Sequence, residues 1–154
     1  MDQFTSDRLR ACGVPDQRIT DKDLSHLNLS RQDLSGCDLR GFILTETNME
    51  GCDFRGSDLR TIAFATTNCN NGRFCGADLR GAVLGFGYFL NADFRGADLR
   101  GAILTDSICN ESRFAGADLR GAVLGREVYD SDFRGADLRG MEMPEQLNLD
   151  TRSE

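Results

Sequence analysis

The sequence predicts an all-β fold, a solenoid of stacked coils, and three observations support this prediction. An apolar residue recurs at every fifth position from Leu24 to Leu124. Twenty-residue segments, each holding four such units, also align with one another: 41–60, 61–80, 81–100, 101–120 and, one residue shorter, 121–139. A period of five fits neither an α-helix nor a single strand, whereas self-similarity at a fixed period is typical of a repeat fold.

The first element is an N-terminal segment, residues 1–16, that precedes the regular repeat. The stretch from Asp2 to Gly13 predicts a short helix, with Asp2 or Ser6 as its N-cap and Leu9 as an apolar contact. Ile19 already fits the five-residue register. A solenoid has to cover its open core, so we expect the helix to lie over the first coil as a cap.

The second element is the solenoid, predicted over residues 17–143. Most units place a small side chain two positions before the central apolar residue, and we expect both to face inward. The remaining positions are polar residues and glycine, which form outward turns. After Leu124 the register slips by one residue in the turn from Gly125 to Glu127. We predict about six coils, which at about 4.8 Å per coil make a rod of roughly 29 Å.

Residues twenty apart in sequence stack on one wall, so the sequence assigns a column of central residues to each of four walls. The columns are Leu24, Leu44, Phe64, Leu84, Leu104 and Leu124 on the first wall; Leu29, Met49, Cys69, Phe89, Cys109 and Val128 on the second; Leu34, Phe54, Phe74, Phe94, Phe114 and Phe133 on the third; and Leu39, Leu59, Leu79, Leu99, Leu119 and Leu138 on the fourth. The third is a nearly pure phenylalanine ladder. The last element is the tail 144–154, whose Leu147 and Leu149 are expected to cover the final coil.

The unit ADLRG occurs at 77–81, 97–101, 117–121 and 136–140, with near-copies SDFRG and ADFRG between them. These units resemble the A(D/N)LXX signature of the pentapeptide-repeat family over about residues 17 to 143. The resemblance implies a right-handed, quadrilateral parallel β-helix. It names no partner, because many members of the family have no known activity.

The outer surfaces of the four walls differ in charge and polarity. On the third and fourth walls, aspartates and arginines offset one another almost one for one. The first and second walls instead carry outward apolar side chains beside asparagines and six acids: Glu46, Glu50, Asp106, Glu111, Glu127 and Asp130. An apolar strip rimmed by polar residues is typical of an interaction surface, although β-branched residues also favour strand geometry by themselves. The candidate interface comprises Ile43, Val83, Phe86, Tyr88, Leu90, Ile103, Ile108, Val123 and Tyr129.

The sequence favours no enzyme. Its single histidine, His26, has no matching nucleophile, no cluster has metal-ligand spacing, and the glycines recur as corners rather than as a phosphate loop. We therefore expect no catalytic residue, cofactor or metal. The six cysteines are interpreted as buried free thiols. No signal peptide or membrane span is recognised, so a cytoplasmic location without membrane association is expected.

These observations predict a non-enzymatic structural or protein-binding scaffold that acts through its exposed apolar walls. The partner is expected to be another protein or a second copy of the chain. Direct nucleic-acid binding is not expected at a net charge of −7. The alternative implied by the resemblance is a DNA-mimicking inhibitor or protector of DNA gyrase, as in quinolone resistance. That alternative fits less well, because mimicry requires uncompensated negative charge along the rod.

Overall fold

The computed structural model describes residues 1–143 of the chain. Two helices come first, α1 (Gln3–Ala11) and α2 (Asp16–Asp21). They are followed by a succession of parallel β-bridges that begins at Asp23 and ends at Glu142. Within residues 1–143, no helix has the length and hydropathy needed to cross a membrane. The predicted covering role of Leu147 and Leu149 falls outside the described residues.

Each bridge joins one residue to the residue twenty positions later, as Asp23 pairs with Ile43 and Asp38 with Asp58, except in the last turn, where the spacing is nineteen. The backbone bonds alternate between neighbouring coils: the Leu24 N–H donates to the Ile43 carbonyl at 2.8 Å, and the Ile43 N–H donates to the Lys22 carbonyl at 2.9 Å. One turn of the chain therefore contains four bridged positions. The bridged residue is always the one before a central apolar residue, which is the outward position.

The chain turns between walls at a corner residue, which lies two positions after each central residue except Leu124 and has a positive φ. At the two corners that flank the fourth wall this residue is nearly always glycine, as at Gly36 (67°) and Gly41 (70°). Glycine adopts this left-handed conformation without steric cost. The corners explain why the bridges stay isolated: a positive φ every five residues interrupts each strand.

The core is the set of central side chains, and its axis is aromatic. Phe54, Phe74, Phe94, Phe114 and Phe133 form one continuous stack. The ring centroids of successive members lie 4.7 to 5.0 Å apart, with interplanar angles of 13° or less. Phe64 packs edge-on against Phe74 at 6.3 Å and Phe89 does so at 6.2 Å. The predicted phenylalanine ladder is thus confirmed, and it extends sideways to the first and second walls.

The inward position two residues before each centre varies with its surroundings. Alanines fill it in many units, whereas Gly72 and Gly87 occupy it beside the rings of Phe74 and Phe89. A Cβ atom at Gly72 would lie 2.7 Å from the Phe74 ring, and one at Gly87 would lie 2.6 Å from the Phe89 ring. These glycines are required by packing, because the neighbouring rings occupy the space of a side chain.

Hydroxyl and thiol groups at the same inward position bind the preceding coil. Thr47 Oγ1 donates to the Leu24 carbonyl and Ser57 Oγ donates to the Leu34 carbonyl, both at 2.8 Å. In residues 1–143 no buried side-chain nitrogen or oxygen lacks a hydrogen-bond partner. The polar residues of the core therefore hold coils together rather than forming a reactive group.

Helix α1 has the predicted Asp2 N-cap, whose carboxylate accepts from the Thr5 N–H at 2.7 Å. Thr5 is buried, and its Oγ1 accepts from the Asp38 N–H of the first coil at 2.8 Å. Arg8 donates to the Asp33 carbonyl at 3.0 Å. Helix α1 therefore binds the third and fourth walls of the first coil directly.

Helix α2 was not expected, since the sequence placed the start of the solenoid at residue 17. In the structure, residues Asp16–Asp21 are helical after Pro15, and the first bridge begins at Asp23. Ile19 is buried as a residue of helix α2, not as the central residue of a coil. A single apolar residue satisfies both patterns, because one point cannot distinguish a period of five from a helical face.

The register slip is confirmed between the first and second walls of the last turn. Ile103 pairs with Val123 at the usual spacing, whereas Ile108 pairs with Glu127, one residue early. Gly125 lies in the shortened corner, where a Cβ atom would meet the backbone oxygen and the hydroxyl of Ser107. The missing residue is therefore accommodated by a glycine in close contact with the preceding coil.

Candidate protein-interaction surface

The candidate interface residues lie on the outer faces of the first and second walls and at their corners. Six are exposed and three, Leu90, Ile108 and Val123, are half-buried. Val83, Ile103 and Val123 follow one another through bridges, and Tyr88 is bridged to Ile108. The structure therefore brings most of the set together in neighbouring coils. Ile43 is separated from Val83 by the smaller Ala63.

Three of the exposed members lie together near the middle of the rod. The side chain of Phe86 is 60% exposed, that of Tyr88 45% and that of Val83 43%. Phe86 occupies the corner between the two walls, between Val83 on the first wall and Tyr88 on the second. A single surface can therefore contact all three.

Sequence reasoning missed the conformation of the corner residues that flank the second wall. They have a positive φ but are rarely glycine. Between the first and second walls they are His26, Glu46, Thr66, Phe86 and Asp106; between the second and third walls the non-glycine members are Arg31, Asn71, Asn91, Glu111 and Asp130. For a residue other than glycine this region costs roughly 1–2 kcal/mol, with asparagine and aspartate the better tolerated. The near absence of glycine from these two rows, with Gly51 as the exception, was visible in the sequence.

Side chains on the second wall also hold neighbouring coils in register. Asn68 Nδ2 donates to Asn48 Oδ1 at 3.3 Å, and the Leu90 N–H donates to Asn70 Oδ1 at 2.9 Å. The Tyr129 N–H donates to Asn110 Oδ1 at 2.9 Å. These hydrogen bonds between uncharged groups link neighbouring coils along the second wall.

The fourth wall is organised differently, as a ladder of aspartates and arginines. Arg40 donates to both carboxylate oxygens of Asp38, at 2.7 and 2.6 Å, and its Nε lies 3.4 Å from Asp58 of the next coil. The same arrangement continues from Arg60 through Asp78 and beyond. Hydrogen bonds from Arg40 lower the pKa of Asp38 to about 2. The carboxylates of this wall are therefore already engaged by arginines of the same chain.

Four of the six cysteines are buried as expected, whereas Cys12 and Cys75 are half-buried. All six cysteines are free, and burial raises the pKa of Cys52 and of Cys109 to about 12. A thiol with such a pKa is protonated at neutral pH and is a poor nucleophile. In the part of the chain that the structure describes, no group of three or more histidine, cysteine, aspartate or glutamate side chains could hold a metal ion.

Comparison with known proteins agrees with the repeat. The family model described as pentapeptide repeats matches residues 23–60 and 92–126, in eight copies. No curated protein sequence matches the chain. Among solved structures, a pentapeptide repeat protein from Nostoc PCC 7120 is similar at 27% identity and a TM-score of 0.53, covering 70% of this chain and 84% of that one.

Two further similar structures extend this comparison. A pentapeptide repeat protein from the Arabidopsis thaliana thylakoid lumen is 28% identical, with a TM-score of 0.49, 75% of this chain covered and 71% of that one. QnrB1, a plasmid-mediated fluoroquinolone resistance protein, is 19% identical, with a TM-score of 0.41 and coverages of 77% and 70%.

Proteins with this repeat form right-handed β-helices. The bridges at twenty-residue spacing, the corner every fifth residue and the matched family model all agree with that architecture. The chain therefore carries the pentapeptide repeat over residues 23–60 and 92–126 and is similar to pentapeptide repeat proteins.

Proposed function

We propose that this chain is a non-enzymatic scaffold that binds a protein partner through the first and second walls of a rigid, four-sided solenoid of about six coils. The observation that carries the proposal is the continuous apolar surface formed by Val83, Phe86, Tyr88 and Ile103. When a partner covers such side chains on two adjoining walls, apolar surface is removed from water, which favours binding. The partner is a different protein or a second copy of the chain.

Rigidity supports this role. The aromatic stack and the coil-to-coil hydrogen bonds hold the exposed side chains on a fixed frame, so little conformational entropy is lost when a partner binds. The third and fourth walls have no comparable apolar strip, because aspartate and arginine occupy the outward positions. The interaction is therefore assigned to one side of the rod.

The gyrase-inhibiting alternative has less support. A DNA mimic presents unpaired carboxylates along its length, whereas the aspartates of the fourth wall accept two short hydrogen bonds each from arginine. The cytoplasmic location stays a prediction from the sequence.

The test introduces charge at the centre of the strip with the double substitution Val83→Asp and Ile103→Asp. We expect the variant to stay folded, because both side chains point outward, and to lose the proteins that the wild-type chain captures from its native host. If the chain forms a dimer through this strip, light scattering will show the variant as a monomer. The readouts are a pull-down, light scattering and circular dichroism.

The matched control is Gln3→Asp with Gln17→Asp, which adds the same charge in the first turns of α1 and α2. This control should bind as the wild type does. A folded Val83→Asp, Ile103→Asp variant that captures the same proteins, and keeps the oligomeric state of the wild type, would remove the strip as an interface.

A further inference from the structure

We propose that the partner docks lengthwise on the second wall and presents an apolar or aromatic centre flanked by basic side chains. This inference rests on the proposed function and names the chemistry of the partner. It follows from how apolar and charged side chains are distributed along the rod. For this purpose the coils are numbered by their first-wall centres, from coil 1 at Leu24 to coil 6 at Leu124.

The excess negative charge of the chain is concentrated on one face. The second-wall face, including its corners, consists of residues 26–31, 46–51, 66–71, 86–91, 106–111 and 126–130. It contains six carboxylates and two arginines, a net charge of −4 out of −7 for the whole chain. The fourth wall, with six aspartates and six arginines in register, is neutral. A partner attracted by charge therefore approaches the second-wall face.

The charges on that face lie at its two ends. Residues 66–71 and 86–91, in coils 3 and 4, contain no acidic or basic side chain and include Phe86, Tyr88 and Leu90. Glu46 and Glu50 lie before them in coil 2, and four carboxylates lie after them in coils 5 and 6: Asp106, Glu111, Glu127 and Asp130. Coils 2 and 5 are three rises apart, or about 14 Å. The surface is thus an apolar centre between two acidic ends.

These carboxylates are more available than those of the fourth wall. Among the described residues, Glu50, Glu111 and Asp130 make no ion pair, and the Asp106 contact with Arg126 is long, at 3.8 Å. Glu46 has no arginine or lysine partner among the described residues, and its carboxylate lies 3.3 Å from Nδ1 of His26. Cations of a partner can therefore pair with these groups without displacing a bidentate arginine.

The same distribution disfavours a second copy of the chain as the occupant. A two-fold axis along the rod would place each acidic end against its own equivalent. A two-fold axis across the rod would place the acidic end of coil 2 against that of coils 5 and 6. Both arrangements set like charges against each other, which penalises association. DNA is disfavoured for the same reason, since it is itself an anion.

The corners add support from the backbone. Thr66 and Phe86 have a φ of 57°, in the row of corners between the first and second walls, which has no glycine with a positive φ. A β-branched and an aromatic residue in this region are costly, and such residues tend to be found at binding sites. The two lie in neighbouring coils, at the edge of the uncharged centre.

The experiment selects peptides from a random 16-residue library on the immobilised full-length chain, at low salt. Binding of the enriched peptides is then measured on three variants. Tyr88→Ser with Ile108→Ser removes apolar surface, Glu111→Gln with Asp130→Asn removes charge, and Asp7→Asn with Asp21→Asn, on the two helices, is the charge-matched control outside the first and second walls. Asp130→Asn keeps a residue that tolerates a positive φ.

We expect the enriched peptides to carry apolar or aromatic residues flanked by lysine or arginine. Their affinity should fall about tenfold in the charge variant, fall at least as much in the apolar variant, and stay within about twofold of the wild type in the control. Raising the salt concentration should weaken binding to the wild type and narrow its difference from the charge variant.

The two proposals fail in different ways. One outcome is that the enriched peptides require Tyr88 and Ile108 but lack basic residues and bind the charge variant as they bind the wild type. This result would overturn the proposal that the partner is basic, and it would leave the proposed interface intact. Peptides that bind all variants equally, or a selection that enriches none, would overturn both. A mass that rises with concentration to that of a dimer, and falls in the apolar variant, would identify a second copy as the occupant instead.

Discussion

Phe74 lies at the centre of the aromatic core and shows how single side chains hold the coils in register. Its ring stacks between Phe54 at 5.0 Å and Phe94 at 4.7 Å, with Phe64 and Phe89 at its edges. Stacked and edge-on pairs contribute about 0.5–1.5 kcal/mol each beyond their buried area. The same ring excludes a side chain at Gly72, so one residue constrains several neighbours.

Replacing Phe74 with alanine should therefore be strongly destabilising. We expect Phe74→Ala to lower the free energy of unfolding by about 3–5 kcal/mol, because the coils above and below cannot close the cavity. Phe133→Ala, in the last described turn, should cost less, since Phe133 is only half-buried and stacks on Phe114 alone. Urea unfolding followed by circular dichroism measures both. Equal losses for the two variants would contradict a core whose packing is tightest in its middle.

At the scale of elements, α1 closes the first coil through one buried hydroxyl. Thr5 Oγ1 donates to Asp2 Oδ2 at 3.1 Å and accepts from the Asp38 N–H at 2.8 Å. The first coil has no preceding coil to pair its N–H groups, so a helix side chain supplies the acceptor. The hydroxyl of Thr5 therefore takes part both in the N-terminal cap of α1 and in the first coil of the solenoid.

Thr5→Val tests this link, since valine keeps the shape and removes the hydroxyl. It should destabilise the protein by about 1–3 kcal/mol, because the N–H of the half-buried Asp38 is left without an acceptor. Thr20→Val is the control, as Thr20 is an exposed threonine of α2 whose Oγ1 donates only to the Asp16 carbonyl. Urea unfolding gives the stability, and hydrogen exchange at the Asp38 amide gives the local effect. Unchanged exchange at Asp38 would show that Thr5 does not close the coil.

Across the whole molecule, charge is divided between walls whose aspartates are paired with arginines and a second wall whose carboxylates make few ion pairs. Hydrogen bonds from Arg40, Arg95 and Arg139 lower the pKa of Asp38, Asp93 and Asp137 to about 2. A carboxylate whose pKa is lower in the folded state stabilises that state whenever it is ionised. The ladder is thus a distributed source of stability that depends on pH.

We expect the melting temperature to be nearly constant from pH 7 to pH 5 and to fall between pH 4 and pH 2. The stabilisation is complete above the unfolded pKa of about 4 and is lost as the pH drops through the folded value of about 2. Differential scanning calorimetry across this range measures the effect. Asp38→Asn should make the fall in melting temperature slightly smaller. A wild-type melting temperature that is the same at pH 5 and pH 2 would rule out the ladder as a source of pH-dependent stability.

Much of the candidate surface could be read from the repeat, because outward and inward positions alternate in a fixed order. Val83, Tyr88 and Ile103 were predicted to be exposed, and they are. Their role as an interface stays a prediction. The conformation of Thr66 and Phe86 was not predicted. A five-residue period indicates which residues occupy equivalent positions, but it does not give the φ angle at those positions.

The sequence by itself determined the repeat, the column of central residues on each wall, the phenylalanine ladder and the position of the register slip. The first three follow from a spacing that the coils repeat many times along the chain, and the slip is visible because it breaks that spacing. The tertiary structure alone decided that residues 16–21 are helical, that Thr5 closes the first coil and that arginines reach both their own coil and the next. These features arise once, or depend on distances between coils, and a local pattern does not encode them.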